Sequence, residues 1–175
     1  LHRPAAFPAL MMRRFWITAA VTFGIDQLTK LGVVQGLGLV QRGEIDVLPP
    51  YLTFRMAWNY GINFGLLSHG SDLARWGLVA VALVISAWVI WWMRRERGNW
   101  KAEIAGGLLV GGALGNVVDR IAYGAVADFL NMSCCGIENP YAFNVADIAI
   151  FAGALGLVIF AGGQAKGGKP ARRRR

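Results

Sequence analysis

The sequence predicts an all-α membrane protein with four transmembrane helices and a small extracytoplasmic β-element. Composition is the first indication, because 55% of the 175 residues are hydrophobic and only 16% are charged, whereas soluble domains usually carry about a quarter charged residues. Basic residues also occur in clusters, and these are separated by apolar stretches long enough to cross a bilayer. The seven tryptophans suit the aromatic belts that form at membrane–water interfaces.

The apolar stretches place the predicted helices at about 15–34, 76–93, 102–121 and 143–163. The first follows two arginines, as a secretory signal does, but it contains Asp26 and Lys30 and lacks a small-residue cleavage site. We therefore expect an uncleaved helix there. In the third stretch Gly107, Gly111 and Gly115 recur at every fourth position, a spacing that lets a neighbouring helix approach closely.

The distribution of positive charge predicts the orientation. Basic clusters precede the first stretch, separate the second from the third and follow the fourth, so both termini should lie in the cytoplasm. Residues 35–74 and 122–142 then face outward. Apolar and other residues alternate over 52–58, which predicts a strand. The expected organisation is a disordered leader at 1–12, a single transmembrane domain at 13–165 with its outer β-element at about 40–66, and a basic cytoplasmic tail at 166–175.

Composition also argues against two kinds of partner. Cys134 and Cys135 are adjacent, and neighbouring cysteines rarely satisfy disulfide geometry. The only histidines are His2 and His69, so a metal site built from Cys and His is not expected. The net charge of +8 is concentrated at the ends of apolar stretches rather than over one face, so nucleic-acid binding is not expected either.

Polar residues within the apolar stretches share one side of the membrane. At about 1.5 Å of rise per residue, Asp26 lies about 16 Å along the first helix and Asp119 about 26 Å along the third. Asp147 lies within about 10 Å of the outer end of the fourth helix, and Asp128 follows the third. In a hydrocarbon core of about 30 Å all of these fall in the outer half. Residues that only joined helices would have no reason to do so, and the pattern predicts one site at the outer interface.

Each of these residues also has a structural explanation. Asp26 and Lys30 are four residues apart, the spacing of an ion pair within one helix. Asp128 and Asp147 would also serve as helix caps. Arg120 would equally serve as a snorkelling or ion-pairing residue.

Three other functions fit parts of the sequence. A proton-coupled transporter would carry carboxylates through both halves of the bilayer, but the cytoplasmic half has only Glu103. A non-catalytic scaffold would use the glycine-rich third helix for assembly, and would tolerate Asp128→Asn and Asp147→Asn. A serine–lysine protease would need a nearby lysine, and the nearest outward lysine is Lys30.

Four short runs stand in a fixed order along the chain. Residues 26–30 read Asp-Gln-Leu-Thr-Lys, residues 59–65 read Asn-Tyr-Gly-Ile-Asn-Phe-Gly, residues 115–129 begin Gly-Asn-Val-Val-Asp-Arg and end Val-Ala-Asp-Phe, and residues 143–147 read Phe-Asn-Val-Ala-Asp. Together they resemble the motifs of the lipoprotein signal peptidases (signal peptidase II), which are small bacterial inner-membrane aspartic proteases. One departure is Asn63, which stands where that family usually has a small apolar residue.

The resemblance implies a catalytic pair, Asp128 and Asp147. It also implies a set of substrate-binding and supporting residues: Asn59, Gly61, Asn116, Arg120 and Asn144 lining the pocket, with Asp26, Lys30 and Asp119 beside it. The implied reaction removes the signal peptide from a prolipoprotein whose cysteine carries a diacylglyceryl group, and the cut falls just before that cysteine. An aspartate-activated water would do this without a metal or cofactor.

The remaining expectations concern location and partners. We expect a monomer in the bacterial inner membrane, with both termini in the cytoplasm and the active site toward the periplasm. Its partners would be lipidated prolipoproteins and membrane lipid. We also expect residues 51–58 to pack on the lipid surface and residues 59–61 to close over the substrate.

Overall fold

The structure, a computed structural model, describes residues 12–61, 72–95 and 98–161. It is mostly helical, with a small sheet. The helices are α1 (Arg13–Lys30), α2 (Leu39–Arg42), α3 (Asp72–Arg95), α4 (Trp100–Tyr123) and α5 (Val145–Ala161). A π-helical segment, Leu31–Gly36, continues α1. The strands are β1 (Glu44–Leu48), β2 (Leu52–Asn59) and β3 (Val126–Met132).

Three helical segments of the described chain are long and apolar enough to cross a membrane: Arg13–Gly36, Asp72–Arg95 and Trp100–Tyr123. Helix α5 is apolar too, but its 17 residues fall below the roughly 20 that usually span a bilayer. The structure therefore supports three of the four predicted spans by length and composition. Residues 1–11, 62–66 and 162–175 of the predicted leader, β-element and C-terminal region lie outside the described residues, and Asn63 lies among them.

Glycines of α4 allow α1 to pack directly on its backbone. A Cβ atom at Gly107 would lie 2.6 Å from the carbonyl oxygen of Phe15, and one at Gly111 would lie 2.5 Å from that of Ala19. Either side chain would force the two helices apart. The close approach predicted from the four-residue glycine spacing is confirmed.

The three strands form one antiparallel sheet in the order β1-β2-β3. The predicted strand over 52–58 is present as β2, but β3 was not predicted as a strand. Its first four residues and Asn131 are all buried, so it lacks the alternation that reveals a strand with one solvated face. Ala57 of β2 is paired with Asp128 of β3, and this register brings β2 to the functional residues.

The apolar face of β2 is turned toward the protein. Phe54, Met56 and Trp58 pack on a buried cluster that includes Leu39 and Phe129. These three side chains are only partly buried, and the expectation that residues 51–58 pack on the lipid surface stays a prediction. The sheet is thereby fixed to the helices by its own small core.

Candidate active site

Two aspartates reach the site from different elements. Asp128 lies in β3, which begins two residues after the left-handed Gly124 (φ 79°) that ends α4. Asp147 lies in the first turn of α5. After β3 the chain turns back toward the strand, and Phe143, just before α5, forms an antiparallel bridge with Leu130 of β3. This return brings the start of α5 beside the middle of β3.

Asn144 joins the two aspartates. Its Nδ2 donates a hydrogen bond to Asp128 Oδ1 at 2.6 Å, and its Oδ1 accepts the backbone N–H of Asp147 at 2.9 Å. Asn144 is fully buried, so both of its polar ends must be satisfied by protein groups. The amide side chain therefore holds the strand and the helix in a fixed relation at the site.

Asp147 also caps its own helix. Its Oδ2 accepts the backbone N–H of Asn144 at 3.2 Å, so the two residues satisfy each other's N–H groups as in a capping box. The capping role considered from the sequence is thus real for Asp147. Its other oxygen, Oδ1, accepts a hydrogen bond from Asn116 Nδ2 at 2.9 Å, and that oxygen faces the site.

Asp128 is only 3% exposed, and burial is the main reason that its pKa is raised to about 6. The negative charge of Asp147 raises the pKa further, whereas hydrogen bonds from Asn59 and Asn144 and the positive charge of Lys30 lower it. A carboxyl group whose pKa lies near 6 can hold a proton close to neutral pH, which a general acid requires.

Asn59 and Gly61 close the site on the side of the sheet. Asn59 Nδ2 donates to Asp128 Oδ2 at 3.0 Å, and its Oδ1 accepts the backbone N–H of Gly61 at 3.0 Å. Gly61 has a φ of 105°, and a Cβ atom there would collide with Leu78. One end of the Asn59 side chain therefore stabilises the turn at Gly61, while the other end contacts Asp128.

Asp26, Lys30 and Asp119 come together beside the two aspartates. Lys30 Nζ lies 2.8 Å from Asp26 Oδ2 and 2.8 Å from Asp119 Oδ2. It also donates to Asn116 Oδ1 at 3.3 Å. The ion pair within the first helix is therefore present, but it is part of a network that extends to Asp147 through Asn116.

Arg120 lines a groove between α3, α4 and α5. Its Nη1 donates to the carbonyl oxygen of Asn116 at 3.2 Å, and its buried Nε has no hydrogen-bond partner among the described residues. The charges of Asp147 and Asp128 act on its guanidinium. The groove has a volume of about 470 Å³ and is lined by apolar side chains of three helices: Leu78, Val81, Ala82, Ile85, Leu109, Ala113, Ile150 and Ala154.

All ten predicted residues thus lie in or beside one site, and one further side chain belongs with them. Gln27 Nε2 donates to Asp26 Oδ2 at 3.1 Å and to Asp119 Oδ1 at 3.3 Å. Its place between Asp26 and Lys30 in the first motif is the only sequence signal for it. Cys134 and Cys135 are free and exposed. Within the described ranges, no group of three or more His, Cys, Asp or Glu side chains could hold a metal ion.

The chain is similar to known proteins over most of its length. The family model described as signal peptidase (SPase) II matches residues 18–161. A lipoprotein signal peptidase of Methylobacterium sp. (strain 4-46) is 44% identical over 142 residues, covering 81% of this chain and 84% of that protein. One from Alteromonas mediterranea is 39% identical over 149 residues, covering 85% and 79%.

Solved structures are similar as well. A structure titled as a bacterial membrane enzyme determined by the in meso method at 2.3 Å superposes with a TM-score of 0.71 at 25% identity, and covers 91% of this chain and 94% of that one. A second, at 1.9 Å, gives the same TM-score and identity and covers 83% and 90%. The family model spans most of the chain, and the relatives match over most of their own length. The chain belongs to the signal peptidase II family.

Proposed function

We propose that the protein is a membrane-embedded aspartic endopeptidase that removes the signal peptide from diacylglyceryl-modified prolipoproteins. The observation that carries the proposal is the pair of carboxylates, Asp128 and Asp147, joined by Asn144 beside an apolar groove. The relatives named above are called lipoprotein signal peptidases, and this supports the same substrate class here. The cut would fall just before the lipidated cysteine.

The raised pKa of Asp128 divides the chemistry between the two aspartates. Asp128 keeps its proton and donates it to the scissile carbonyl oxygen, while Asp147 accepts a proton from the attacking water. The tetrahedral diol that forms then collapses: the C–N bond breaks, the new amine takes the proton from Asp147, and a diol hydroxyl returns a proton to Asp128. Asn116 Nδ2 and the backbone N–H of Asn144 donate to Asp147, so both of its oxygens are held in a fixed orientation.

The groove between α3, α4 and α5 suits an apolar signal segment that enters sideways from the membrane. Its lining is apolar along the helices and becomes polar only at Asn116 and Arg120, next to Asp147. Arg120 Nε, which has no hydrogen-bond partner in the described part of the chain, would donate to a carbonyl oxygen of the substrate backbone. Arg120 would then hold the peptide near the aspartates while the acyl chains stay in the lipid.

The proposed topology has four spans, with α5 as the fourth and both termini in the cytoplasm of a bacterial inner membrane. The basic clusters at the other ends of the helices support this orientation. β1 and β2 follow α1, and β3 follows α4, so the sheet and both aspartates lie toward the periplasm. We propose that the enzyme acts as a monomer, with membrane lipid around it and no nucleic-acid partner.

Replacing either aspartate by asparagine should abolish cleavage while the protein stays folded. Asp128→Asn and Asp147→Asn preserve size and an oxygen acceptor but remove the acid–base function, so we expect cleavage to fall by at least about 10³-fold. Purified protein in detergent is incubated with a diacylglyceryl-modified precursor, and the products are separated by mass. Asp46→Asn is the matched control, because Asp46 is an exposed carboxylate of β1.

A chelator is included in a parallel reaction. Cleavage that persists with the chelator and disappears in both aspartate variants fits the proposal. Loss of cleavage with the chelator alone would require metal chemistry instead. Full cleavage by both variants would assign the chemistry to other residues, whereas no cleavage by the unaltered protein would favour a non-catalytic scaffold. A cut that mass spectrometry places elsewhere than before the modified cysteine would contradict the proposed specificity.

A further inference from the structure

Three charged side chains form a buried cluster beside the aspartate pair. Asp26, Lys30 and Asp119 are 0%, 6% and 1% exposed. The ammonium group of Lys30 contacts both carboxylates at 2.8 Å. Burying charged groups is expensive unless they are paired and hydrogen-bonded, and a single ammonium beside two carboxylates leaves one negative charge to be satisfied by other donors.

Two backbone N–H groups, one next to each proposed catalytic aspartate, donate hydrogen bonds to these buried carboxylates. Asp26 Oδ1 accepts the N–H of Ala146 at 2.9 Å, and Asp119 Oδ2 accepts the N–H of Ala127 at 3.1 Å. Each of these alanines immediately precedes one of the two proposed catalytic aspartates. Each buried acid therefore holds the peptide unit from which a catalytic side chain projects.

The two acids are themselves tied together. Lys30 Nζ bonds to both, and Gln27 Nε2 spans them with longer hydrogen bonds of 3.1 and 3.3 Å. Lys30 also donates to Asn116 Oδ1 at 3.3 Å, and Asn116 donates to Asp147. The ammonium group of Lys30 thus contacts Asp26, Asp119 and Asn116, the three side chains that hold β3 and the start of α5 at the site.

We propose that Lys30 is a positioning residue for the reaction, which fixes the separation of Asp128 and Asp147 through Asp26 and Asp119. This inference rests on the proposed function. Lys30 touches neither catalytic aspartate through a hydrogen bond in the described structure, so it acts through the acids and through Asn116. Its removal would leave two unneutralised buried carboxylates, and both backbone anchors would relax.

The positive charge of Lys30 also affects the protonation of Asp128. The positive charge of Lys30 lowers the pKa of Asp128, so its loss should raise that pKa further. The other groups that face or act on Asp128 are Asp147, Asn59, Asn144 and Arg120, and all of them remain in a Lys30 variant. A change in the pH profile would therefore report the loss of Lys30 itself.

The test compares Lys30→Met with Lys101→Met, which makes the same substitution at an exposed lysine in the first turn of α4. Displacing a catalytic group by about 1 Å can cost about 100-fold in rate. We therefore expect Lys30→Met to lower kcat by about 100-fold, to leave KM within about threefold, and to move the alkaline limb of the pH profile to higher pH. Tryptophan-fluorescence unfolding in detergent verifies that each variant is folded.

Lys30→Met/Asp119→Asn provides a rescue. It restores the net charge of the cluster, and the asparagine oxygen can still accept the N–H of Ala127, so we expect kcat about tenfold above that of Lys30→Met. If Lys30→Met does not fold, the double variant is compared with Asp119→Asn alone, and a kcat about tenfold lower is expected. Equal kcat in that comparison, or unchanged kcat in a folded Lys30→Met, overturns the positioning role.

Asp128→Asn and Asp147→Asn are measured in the same assay. Retained cleavage in these two variants would mean that the proposed function has failed. Loss of cleavage in both, together with full kcat in Lys30→Met, would overturn only the role of Lys30.

Discussion

Asp128 is held where a carboxyl group can change protonation under mild conditions. A fully solvated aspartate is ionised well below neutral pH, but removal from water disfavours the charged form. Two asparagines donate to its two oxygens and limit the rise of its pKa, because they stabilise that charged form. The balance places the pKa in the range where general acids work efficiently.

The protonation of Asp128 in the free enzyme should determine how kcat/KM depends on pH. If Asp128 acts while protonated, kcat/KM should fall as pH rises through about 6, by about tenfold per pH unit above it. The sign follows from the raised pKa, because the active protonated form is lost on the alkaline side. Initial rates are measured from pH 4.5 to 8.5 in one detergent with a mixed buffer.

Asn59→Ala is the companion variant for this measurement. It removes a hydrogen bond that lowers the pKa of Asp128, so the alkaline limb should move to higher pH. A profile that is flat between pH 5 and 8 in the wild-type protein would contradict the assignment of Asp128 as the acid.

At this scale the sequence indicated acidic and amide residues that the structure brings together, because a polar side chain in an apolar stretch is conspicuous. Their roles in the reaction stay predictions. It did not predict how Asn144 divides its two ends between Asp128 and Asp147, since that depends on how β3 and α5 meet. Gln27 was not predicted either. Apart from its place in the first motif, a glutamine next to Asp26 carries no signal, because its second partner, Asp119, comes from another helix.

At the scale of elements, α4 is the centre of the molecule, and small residues determine how closely its neighbours approach. Gly107 and Gly111 face α1, and Gly112 faces α5, where a Cβ atom would lie 2.6 Å from the carbonyl oxygen of Ala146. Gly115 faces the site itself, since a Cβ atom there would lie 2.5 Å from Asp26 Oδ2. These glycines of α4 therefore allow close packing with α1 and α5 and also leave room for the carboxylate of Asp26.

Gly107→Ala should destabilise the protein. The new methyl group would lie 2.6 Å from the carbonyl oxygen of Phe15 and 2.8 Å from Thr18 Cβ, and overpacking of this kind typically costs about 1–3 kcal/mol. We expect a clearly lower Tm in detergent by tryptophan fluorescence. Gly77→Ala in α3 is the matched control, because no atom of the described residues, apart from its own helix backbone and chain neighbours, lies within 4 Å of its Cβ position.

The control should behave in the opposite way. Alanine is favoured over glycine in a helix interior by up to about 1 kcal/mol, so Gly77→Ala should hold or raise the Tm. A Gly107→Ala protein as stable as Gly77→Ala would mean that α1 and α4 do not pack through this glycine.

Strand β2 was predicted from sequence because Leu52, Phe54, Met56 and Trp58 alternate with other residues. Strand β3 was not, because its run of Val, Ala, Asp and Phe is buried throughout and has no period of two. The start of α5 was predicted two residues early, since Phe143 is apolar like the helix but bridges Leu130 instead. Tertiary contacts determine both features.

At the scale of the whole molecule, the sheet lies at one end of the helices. β1 and β2 connect α1 to α3, and β3 connects α4 to α5, so their pairing places four helix ends on the same side. The two exposed cysteines lie in the connection after β3. They are the only cysteines of the chain and therefore serve as natural markers of that side.

Labelling of these cysteines tests the proposed orientation. In intact spheroplasts, a membrane-impermeant maleimide should react with Cys134 and Cys135 without permeabilisation, because the sheet side is proposed to face the periplasm. The matched control carries Cys134→Ser and Cys135→Ser with Lys101→Cys, which moves the thiol to the other end of α4. That variant should be labelled only after permeabilisation, and the reverse pattern would invert the topology.

Asp147 both caps α5 and is a proposed catalytic residue, and this affects which inactive variant suits the capture of an enzyme–precursor complex. Alanine at this position would remove the oxygen that receives the N–H of Asn144, so the beginning of α5 would loosen along with the chemistry. Asparagine keeps one oxygen for that N–H, while its NH2 group replaces the oxygen that accepts Asn116 Nδ2. Asp147→Asn is therefore the better inactive variant for trapping an uncut precursor or for screening inhibitors. It should lose cleavage and still bind the precursor.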